Sequence, residues 1–279
     1  MIVTKFIKMH GLGNDFVIID AQEKTFTLDS ELVKKIADRR RGIGCDQVLL
    51  IKNSDAANAE MFVYNSDGSE TSACGNGARC VAMYLAGKKS KSSISLMAQN
   101  RVLECDIVSK DIVSICMGRP EFNWEKIPLS NSLDPFSLDL KFEDNLGNVI
   151  SDPVAMSVGN PHVVFFVNDI DRINLENLGP RIENHKFFPD KVNVNLVSVN
   201  NKSSLNVKVW ERGAGLTLAC GTGACASAFA AIQRRYCENR IEVNLPGGVL
   251  NIFVNEQEEI FMTGPAKFSF YGEFSFDQK

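Results

Sequence analysis

The sequence lacks the motifs that most readily assign a chain to a class. It has only three histidines, His10, His162 and His185, and no two share the i, i+4 spacing of a helical metal pair. No CxxC occurs, and no glycine-rich loop leads to a lysine. Zinc-ribbon, thiol-redox and phosphate-loop motifs are therefore missing, as is a phosphate-binding setting for a pyridoxal-phosphate lysine. No apolar run approaches the roughly 20 residues of a membrane-spanning helix. The opening MIVTKFIKMHGLGNDF has neither the apolar core nor the small-residue cleavage site of a signal peptide, so the expected address is the cytoplasm. A net charge of -4 gives no basic footprint for nucleic acid. The one basic cluster, Lys88 to Lys91, reads as a solvated turn after a helix. Eight cysteines are too sparse for a disulfide scaffold, and in a reducing compartment they are expected to be mostly free thiols. The chemistry is expected to run on side chains alone, with no cofactor and no metal.

What is present is an internal repeat. Gly13-Asn14-Asp15-Phe16-Val17-Ile18 falls on Gly159-Asn160-Pro161-His162-Val163-Val164, 146 positions on (14 to 160). Cys74-Gly75-Asn76-Gly77-Ala78 falls on Cys220-Gly221-Thr222-Gly223-Ala224 with the same shift (74 to 220). Between these anchors Gln47-Val48 meets Asn193-Val194, and Val63-Tyr64-Asn65 meets Val209-Trp210-Glu211, with no gap. One short match is chance; several polar and glycine-rich matches in one register indicate two similar domains rather than a solenoid. The length of 279 residues accommodates two domains of ordinary size. We place the first at 1–120, with the tail 266–279 packing back onto it, and the second at 121–265.

Each half reads alike. An early β-branched strand, Phe16 to Asp20 or Val163 to Val167, is expected first. Ser30 to Arg39 carries Leu32, Val33 and Ile36 at helical spacing behind a cap at Asp29. Apolar strands follow at Val48 to Lys52 and Met61 to Tyr64, and again at Val192 to Val199 and Leu205 to Trp210. A turn, the cysteine motif and an apolar helix come next, at Gly77 to Ala86 and at Gly223 to Arg234. Helices apolar around most of their circumference must be enclosed by sheet. The segment Pro120 to Asn148, with prolines and mixed polar residues, reads as the crossover between domains.

Both Cys74 and Cys220 precede a glycine-rich turn that opens a buried helix. First-turn N–H groups have no helical partner and can hold a carboxylate. The partial positive charge there is also expected to favour thiolate over thiol. Two such sites gripping one α-carbon from opposite faces would invert it: one sulfur removes the proton and the other delivers one. Developing carboxylate charge would meet two sets of N–H groups. A lone cysteine before a helix is usually a small buried hydrophobe; duplication in register is what favours function here. Cys45, Cys80, Cys105, Cys116, Cys225 and Cys237 have no duplicate and are read as packing residues.

The segments HGLGNDFVIID, NSDGSETSACGNGARC, GNPHVVFFV, VNVNLV and ERGAGLTLACGTGACASA resemble the diaminopimelate epimerase family, from Met9 to about Gly264. The resemblance implies interconversion of LL- and meso-diaminopimelate without pyridoxal phosphate or metal, on the route to lysine and peptidoglycan. It implies an α/β (α+β) fold of two pseudo-symmetric domains, each a mostly antiparallel sheet curled around a central helix, with the active site in the cleft between them. It also implies a homodimer. Cys74 and Cys220 then match the catalytic thiols. Backbone N–H groups at Gly75, Asn76, Gly221 and Thr222 match those holding the reacting carboxylate. Asn14, Gln47, Asn65, Asn160, Asn193, Glu211 and Arg212 match substrate-contacting positions, and His162 with Glu211 match polar residues near the reacting centre. Leu216 departs from the pattern, where the family often has an acidic residue. The nearest alternative is a proline or hydroxyproline racemase of related architecture, whose substrate has one carboxylate and needs no distal clamp such as Arg212. A non-catalytic binding protein would explain the repeat but not the paired cysteines. Since no metal or pyridoxal phosphate is expected, chelators and hydroxylamine should leave turnover unchanged. Loss with a chelator and rescue by added metal would contradict this.

Overall fold

The computed structural model of the protein describes residues 2–23, 26–71, 75–99 and 101–276. Cys74 therefore lies outside the described residues. The chain divides into two compact units, Met1–Cys116 with Thr263–Lys279, and Met117–Met262.

In the first unit β1 (Ile2–Gly11) pairs antiparallel with β2 (Asn14–Asp20) and with the C-terminal strand Lys267–Phe276. Helix α1 (Ser30–Ala37) follows, capped by Asp29, whose Oδ1 accepts from Leu32 N at 2.7 Å. It ends two residues before the expected Arg39, because Asp38 turns extended and its carboxylate accepts from the N–H groups of Arg40 and Arg41. Then β3 (Gln47–Lys52) lies parallel to β2, and β4 (Ala59–Asn65) antiparallel to β3. The two-residue β5 (Glu70–Thr71) leads toward α2 (Gly75–Lys89). After α2, β6 (Ser93–Ala98) returns parallel to β4, and β7 (Arg101–Ser109) and β8 (Ile112–Gly118) complete an antiparallel meander.

Strands β2 and β3 are buried on both faces, so they read as continuous apolar runs rather than alternating ones. Phe16 and Leu49 face Gly77 of α2, whereas Val17, Ile19, Val48 and Leu50 pack with Val33 and Ile36 of α1. Along α2, Ala78, Cys80, Val81, Ala82 and Leu85 are fully buried, as an all-round apolar helix requires. The Lys88 to Lys91 cluster is not simply a solvated turn. Lys88 sits in the last turn of α2 and bonds Asp20 Oδ2 at 2.8 Å, an oxygen that also accepts from Tyr84 at 2.8 Å.

The second unit opens with the hairpin β9 (Lys141–Glu143) and β10 (Val149–Ser151). Next, β11 (Val154–Ser157) pairs antiparallel with β12 (Pro161–Phe166), and α3 (Leu175–Glu183) leads to β13 (Asn193–Asn201), parallel to β12. Strand β14 (Ser204–Glu211) is antiparallel to β13 and carries the short β15 (Gly215–Thr217). Helix α4 (Gly221–Gln233) follows, then β16 (Arg240–Leu245), parallel to β14, and β17 (Gly248–Val254). The strand Ile260–Pro265 precedes the C-terminal one.

The sequence of pairings, antiparallel, parallel, antiparallel, parallel, antiparallel, is the same from β1 to β7 as from β11 to β17. The registers match too. Phe16 lies opposite Gln47 as His162 lies opposite Asn193, and Val48 opposite Tyr64 as Val194 opposite Trp210. The 146-residue repeat is thus a repeat of strand register, and the mixed α/β fold of two similar halves is borne out.

Two expectations need correction. Pro120 to Asn148 is not merely a crossover: Ile127, Leu129, Leu138 and Leu140 are buried in the core of the second unit, and the segment supplies β9. Its apolar residues are too irregularly spaced to show a face. The second unit's counterpart of α1 is α3, which the sequence reading passed over. Leu175, Leu178, Gly179 and Ile182 do form an apolar stripe, but Gly179-Pro180 in its middle imitates a stop signal.

Gly179 is required by packing. A Cβ there would lie 2.4 Å from Cδ2 of Trp210. In an open helix Gly→Ala gains about 1 kcal/mol. Here the clash, at roughly 1–3 kcal/mol for overpacking, reverses the sign. Gly179→Ala is expected to lower stability in urea unfolding; a stabilised variant would contradict the packing.

Candidate active site

In the first unit the candidate residues gather where β2, β3 and β4 meet. Gln47 and Asn65 are cross-strand partners, and Gln47 Nε2 donates to Asn65 Oδ1 at 3.0 Å. Asn65 Nδ2 in turn donates to Ser69 Oγ at 3.1 Å. Gln47 Oε1 is buried and has no hydrogen-bond partner among the described residues. An unmet buried acceptor costs about 1–3 kcal/mol. Asn14 donates from Nδ2 to Asp46 Oδ2 at 3.1 Å.

Asp46, immediately before Gln47, belongs to a charge network that sequence reasoning missed. Arg39 Nη2 bridges Asp15 Oδ1 and Asp46 Oδ1 at 2.7 Å each, and the nearly buried Lys8 bonds Asp15 Oδ2 at 2.6 Å. Burial alone would raise the Asp15 carboxyl, but bonds from Arg39 and Lys8 outweigh it and hold it well below the usual range. The network fixes the starts of β2 and β3, next to Asn14 and Gln47.

Gly75 and Asn76 open α2. Asn76 is buried and its Oδ1 accepts from the fully buried Arg79 at 2.6 Å; Arg79 Nε also donates to Pro265 O at 3.2 Å. Arg79 carries a charge into the buried part of the helix, a signal visible in CGNGARC.

In the second unit Cys220 is the N-cap residue of α4. Its Sγ accepts from Gly223 N at 3.4 Å and lies 3.5 Å from Thr222 Oγ1. The expectation of a depressed pKa is corrected here. Burial pushes the Cys220 thiol up well above its ordinary value, and the Glu211 carboxylate beside it pushes the same way; bonds from Thr222 and Gly223 only partly oppose them. Cys220 is therefore held as a thiol. Glu211 Oε1 accepts from Thr217 Oγ1 at 2.6 Å. Leu216, at the departure from the family pattern, is exposed on β15 opposite Trp210.

Arg212 is exposed; its Nη1 donates to Asp190 O at 3.0 Å and its N–H to Asn193 Oδ1 at 2.9 Å. Asn193, nearly buried, spends its amide on the backbone, since Nδ2 also donates to Pro161 O at 2.7 Å. The turn after β14 is pinned by Glu183 of α3, which accepts from Trp210 Nε1 at 2.7 Å and Gly213 N at 3.0 Å. Asn160 Oδ1 lies 3.1 Å from Nε2 of the fully buried His162, whose Nδ1 lies 3.1 Å from Asn195 Nδ2. Asn195 was not singled out from the sequence. Its signal is the pair Asn193 and Asn195, two residues apart and hence on one face of an apolar strand.

Among the described residues no three His, Cys, Asp or Glu side chains are grouped to hold a metal ion. No helix among them is long and apolar enough to cross a membrane. The half-sites offer amides, a guanidinium, helix-start N–H groups and a buried thiol: the fittings for a small zwitterion with more than one carboxylate.

The sequence profile of the family described as diaminopimelate epimerase matches residues 6–123 and 154–269. A diaminopimelate epimerase of Pelagibacter ubique is 46% identical over 94% of this chain and 95% of that protein. One of Erythrobacter litoralis is 44% identical over 96% of each. Among solved structures, a hydroxyproline epimerase of Agrobacterium vitis aligns with TM-score 0.70 at 12% identity, covering 98% of this chain and 91% of that one. A phenazine biosynthesis protein of the PhzF family from Enterococcus faecalis gives TM-score 0.70 at 13% identity, covering 99% and 100%. These distant structures share the fold.

His162 yields a pH prediction. Burial, aided by the charge of Arg212, lowers its pKa to about 3. Its unfolded value is near 6.5, so the unfolded chain binds the proton that the folded one refuses. Stability is unaffected above about pH 6.5 and falls as pH drops from there toward 3, at up to about 1.4 kcal/mol per unit. Urea unfolding from pH 7 to 4.5 should show a steeper loss for the parent than for His162→Gln. Equal slopes would show that His162 is protonated in the folded state.

Proposed function

Because the chain belongs to the diaminopimelate epimerase family, we propose that it interconverts LL- and meso-2,6-diaminopimelate, with Cys74 and Cys220 exchanging protons at one α-carbon. The observation that carries this reading is Cys220 seated as the N-cap of a buried glycine-opened helix, in a motif repeated at Cys74. In one direction Cys74 starts as thiolate and Cys220 as thiol, the state that the Cys220 surroundings favour. Cys74 Sγ takes the α-proton, and the electron pair left on carbon spreads into the carboxylate. Cys220 gives its proton to the opposite face and becomes thiolate. The centre is inverted, one proton has been exchanged for another, and the enzyme is set for the reverse reaction. N–H groups at Gly75, Asn76, Gly221 and Thr222 hold the reacting carboxylate as its charge grows. Arg212 takes the distal carboxylate, and Asn14, Gln47, Asn65, Asn160, Asn193 and Glu211 sort the remaining ammonium and carboxylate groups. His162 acts through Asn160. No cofactor or metal is required by this chemistry.

We assign the enzyme to the cytoplasm, whose reducing conditions keep both sulfurs free of disulfide bonds. The biological unit is a homodimer in this reading. Phe268, Phe270 and Tyr271 of the C-terminal strand are exposed to 49%, 47% and 70%, and clustered exposed aromatics mark an association surface. Sedimentation equilibrium tests it; a monomer at micromolar concentration would rule it out.

The decisive assay is incubation with LL-diaminopimelate in deuterium oxide, scoring the meso isomer and α-deuterium. Proline should not turn over; its racemisation would favour the alternative family. Cys74→Ala and Cys220→Ala should each lose activity by a factor on the order of 10²–10⁴ or more. Near-full activity in either would end the two-base mechanism. Arg212→Met should weaken substrate binding by about 2–5 kcal/mol, and lysine should be a poor substrate of the parent. Efficient lysine racemisation would refute the distal clamp.

A further inference from the structure

The repeat sets unlike residues beneath the two helix starts. Under Gly77 lie Leu49 and Phe16. At the corresponding places under α4 stand Asn195 and His162, 146 positions on (49 to 195, 16 to 162). Polar groups in a dry core are expensive unless they do something an apolar pair would not.

Two observations fix the Asn195 amide. Its Nδ2 lies 3.4 Å from Val163 O, which can only accept. Its Oδ1 lies beneath the first turn of α4, 2.8 Å from where a Cβ on Gly223 would stand, facing the positive end of the helix. Reversing the amide would set oxygen against oxygen at Val163 and give up the contact that Nδ2 makes there. In the observed sense Nδ2 is a donor, so the His162 Nδ1 that it meets at 3.1 Å must be the acceptor. The imidazole proton then sits on Nε2 and is donated to Asn160 Oδ1 at 3.1 Å.

We infer that Asn195 is a positioning residue: it locks His162 in the Nε2–H tautomer and thereby holds Asn160 with its NH2 turned outward, as a donor to a substrate carboxylate. Asn195 Oδ1 has no hydrogen-bond partner among the described residues, so the amide serves its NH2 side. The arrangement also bars a proton from Nδ1, which would confront the Asn195 NH2. This inference rests on the proposed function only in taking Asn160 as a substrate contact.

The test has a spectroscopic and a kinetic arm. Long-range proton–nitrogen correlation on ¹⁵N-labelled protein reads the His162 tautomer, with the resonances assigned by their loss in His162→Gln. The parent should show a protonated Nε2 and a bare Nδ1. Protonated Nδ1, or an averaged pair, overturns the proposal. Asn195→Asp replaces a donor with a pure acceptor, so Nδ1 must gain a proton. Asn195→Leu places at this position the residue of the first half, so the tautomers should mix. In both, KM for diaminopimelate should rise roughly tenfold, the loss of one well-made hydrogen bond, with a smaller change in kcat. Retention of the parental tautomer and KM in either folded variant overturns the proposal. If the parent does not turn over diaminopimelate, the nitrogen spectrum still decides the role of Asn195, and the proposed function alone fails.

Discussion

The close seating of α4 on its sheet is the constraint from which the second half follows. At Gly221 a Cβ would stand 2.9 Å from Met262 Sδ, and at Gly223 it would stand 2.8 Å from Asn195 Oδ1 and 2.9 Å from Val209 Cγ2. The helix can start this deep only because both positions lack side chains. That depth buries Cys220 and takes its thiol away from water. Two effects then compete at one sulfur. The helix start and the Gly223 N–H favour thiolate, while desolvation and Glu211 favour thiol, and the second pair prevails.

Strand register accounts for how two halves with little side-chain identity keep equivalent sites. Gln47 pairs with Asn65, and Asn193 and Glu211 stand at the same repeat positions, next to the Val194–Trp210 rung of the second ladder. A one-residue slip would turn all of them to the opposite face. Register is held by cores buried on both sides: α1 and α2 flank β2 and β3, while α3, α4 and Ile127, Leu129, Leu138 and Leu140 do the same for β12 and β13. The supports differ in detail. The first half clamps its strand starts with the charged set Lys8, Asp15, Arg39 and Asp46. The second uses Glu183 to hold Trp210 and Gly213, and with them the turn that bears Arg212.

Much of this was legible in the sequence. The repeat gave the pairing of β2, β3 and β4 with β12, β13 and β14, and the cysteine motifs located both central helices, which open at Gly75 and Gly221, two residues before the expected Gly77 and Gly223. Helix α1 announced itself through Asp29 and an apolar stripe. Helix α3 did not, because the glycine that lets Trp210 pack and the proline beside it both read as breakers. The Pro120 to Asn148 segment was opaque for a related reason: its buried residues are single anchors in an irregular path, and periodicity needs regular backbone. The protonation of Cys220 was hidden because motif logic sees the helix start but not the depth of burial, nor a carboxylate nine residues away in sequence.

The differences between the halves matter as much as the likeness. A reaction that inverts a centre through two thiols needs one of them protonated and the other not at the start. Perfectly equivalent surroundings would leave that choice undetermined and populate both-thiol and both-thiolate states. Glu211, where the first half has Asn65, acts directly on Cys220; Asn195, where it has Leu49, lies under Gly223 and meets His162, which replaces Phe16. Arg79, where the second half has Cys225, is the converse departure: a buried cation within the first two turns of α2, bonded to the Asn76 side chain. The Glu211 carboxylate raises the Cys220 thiol, and the first half has the neutral Asn65 at the equivalent position. In the two-thiol reaction proposed above, the duplicated frame offers the two acid–base positions, and Glu211, which stands beside Cys220 alone, sets which of them begins with the proton.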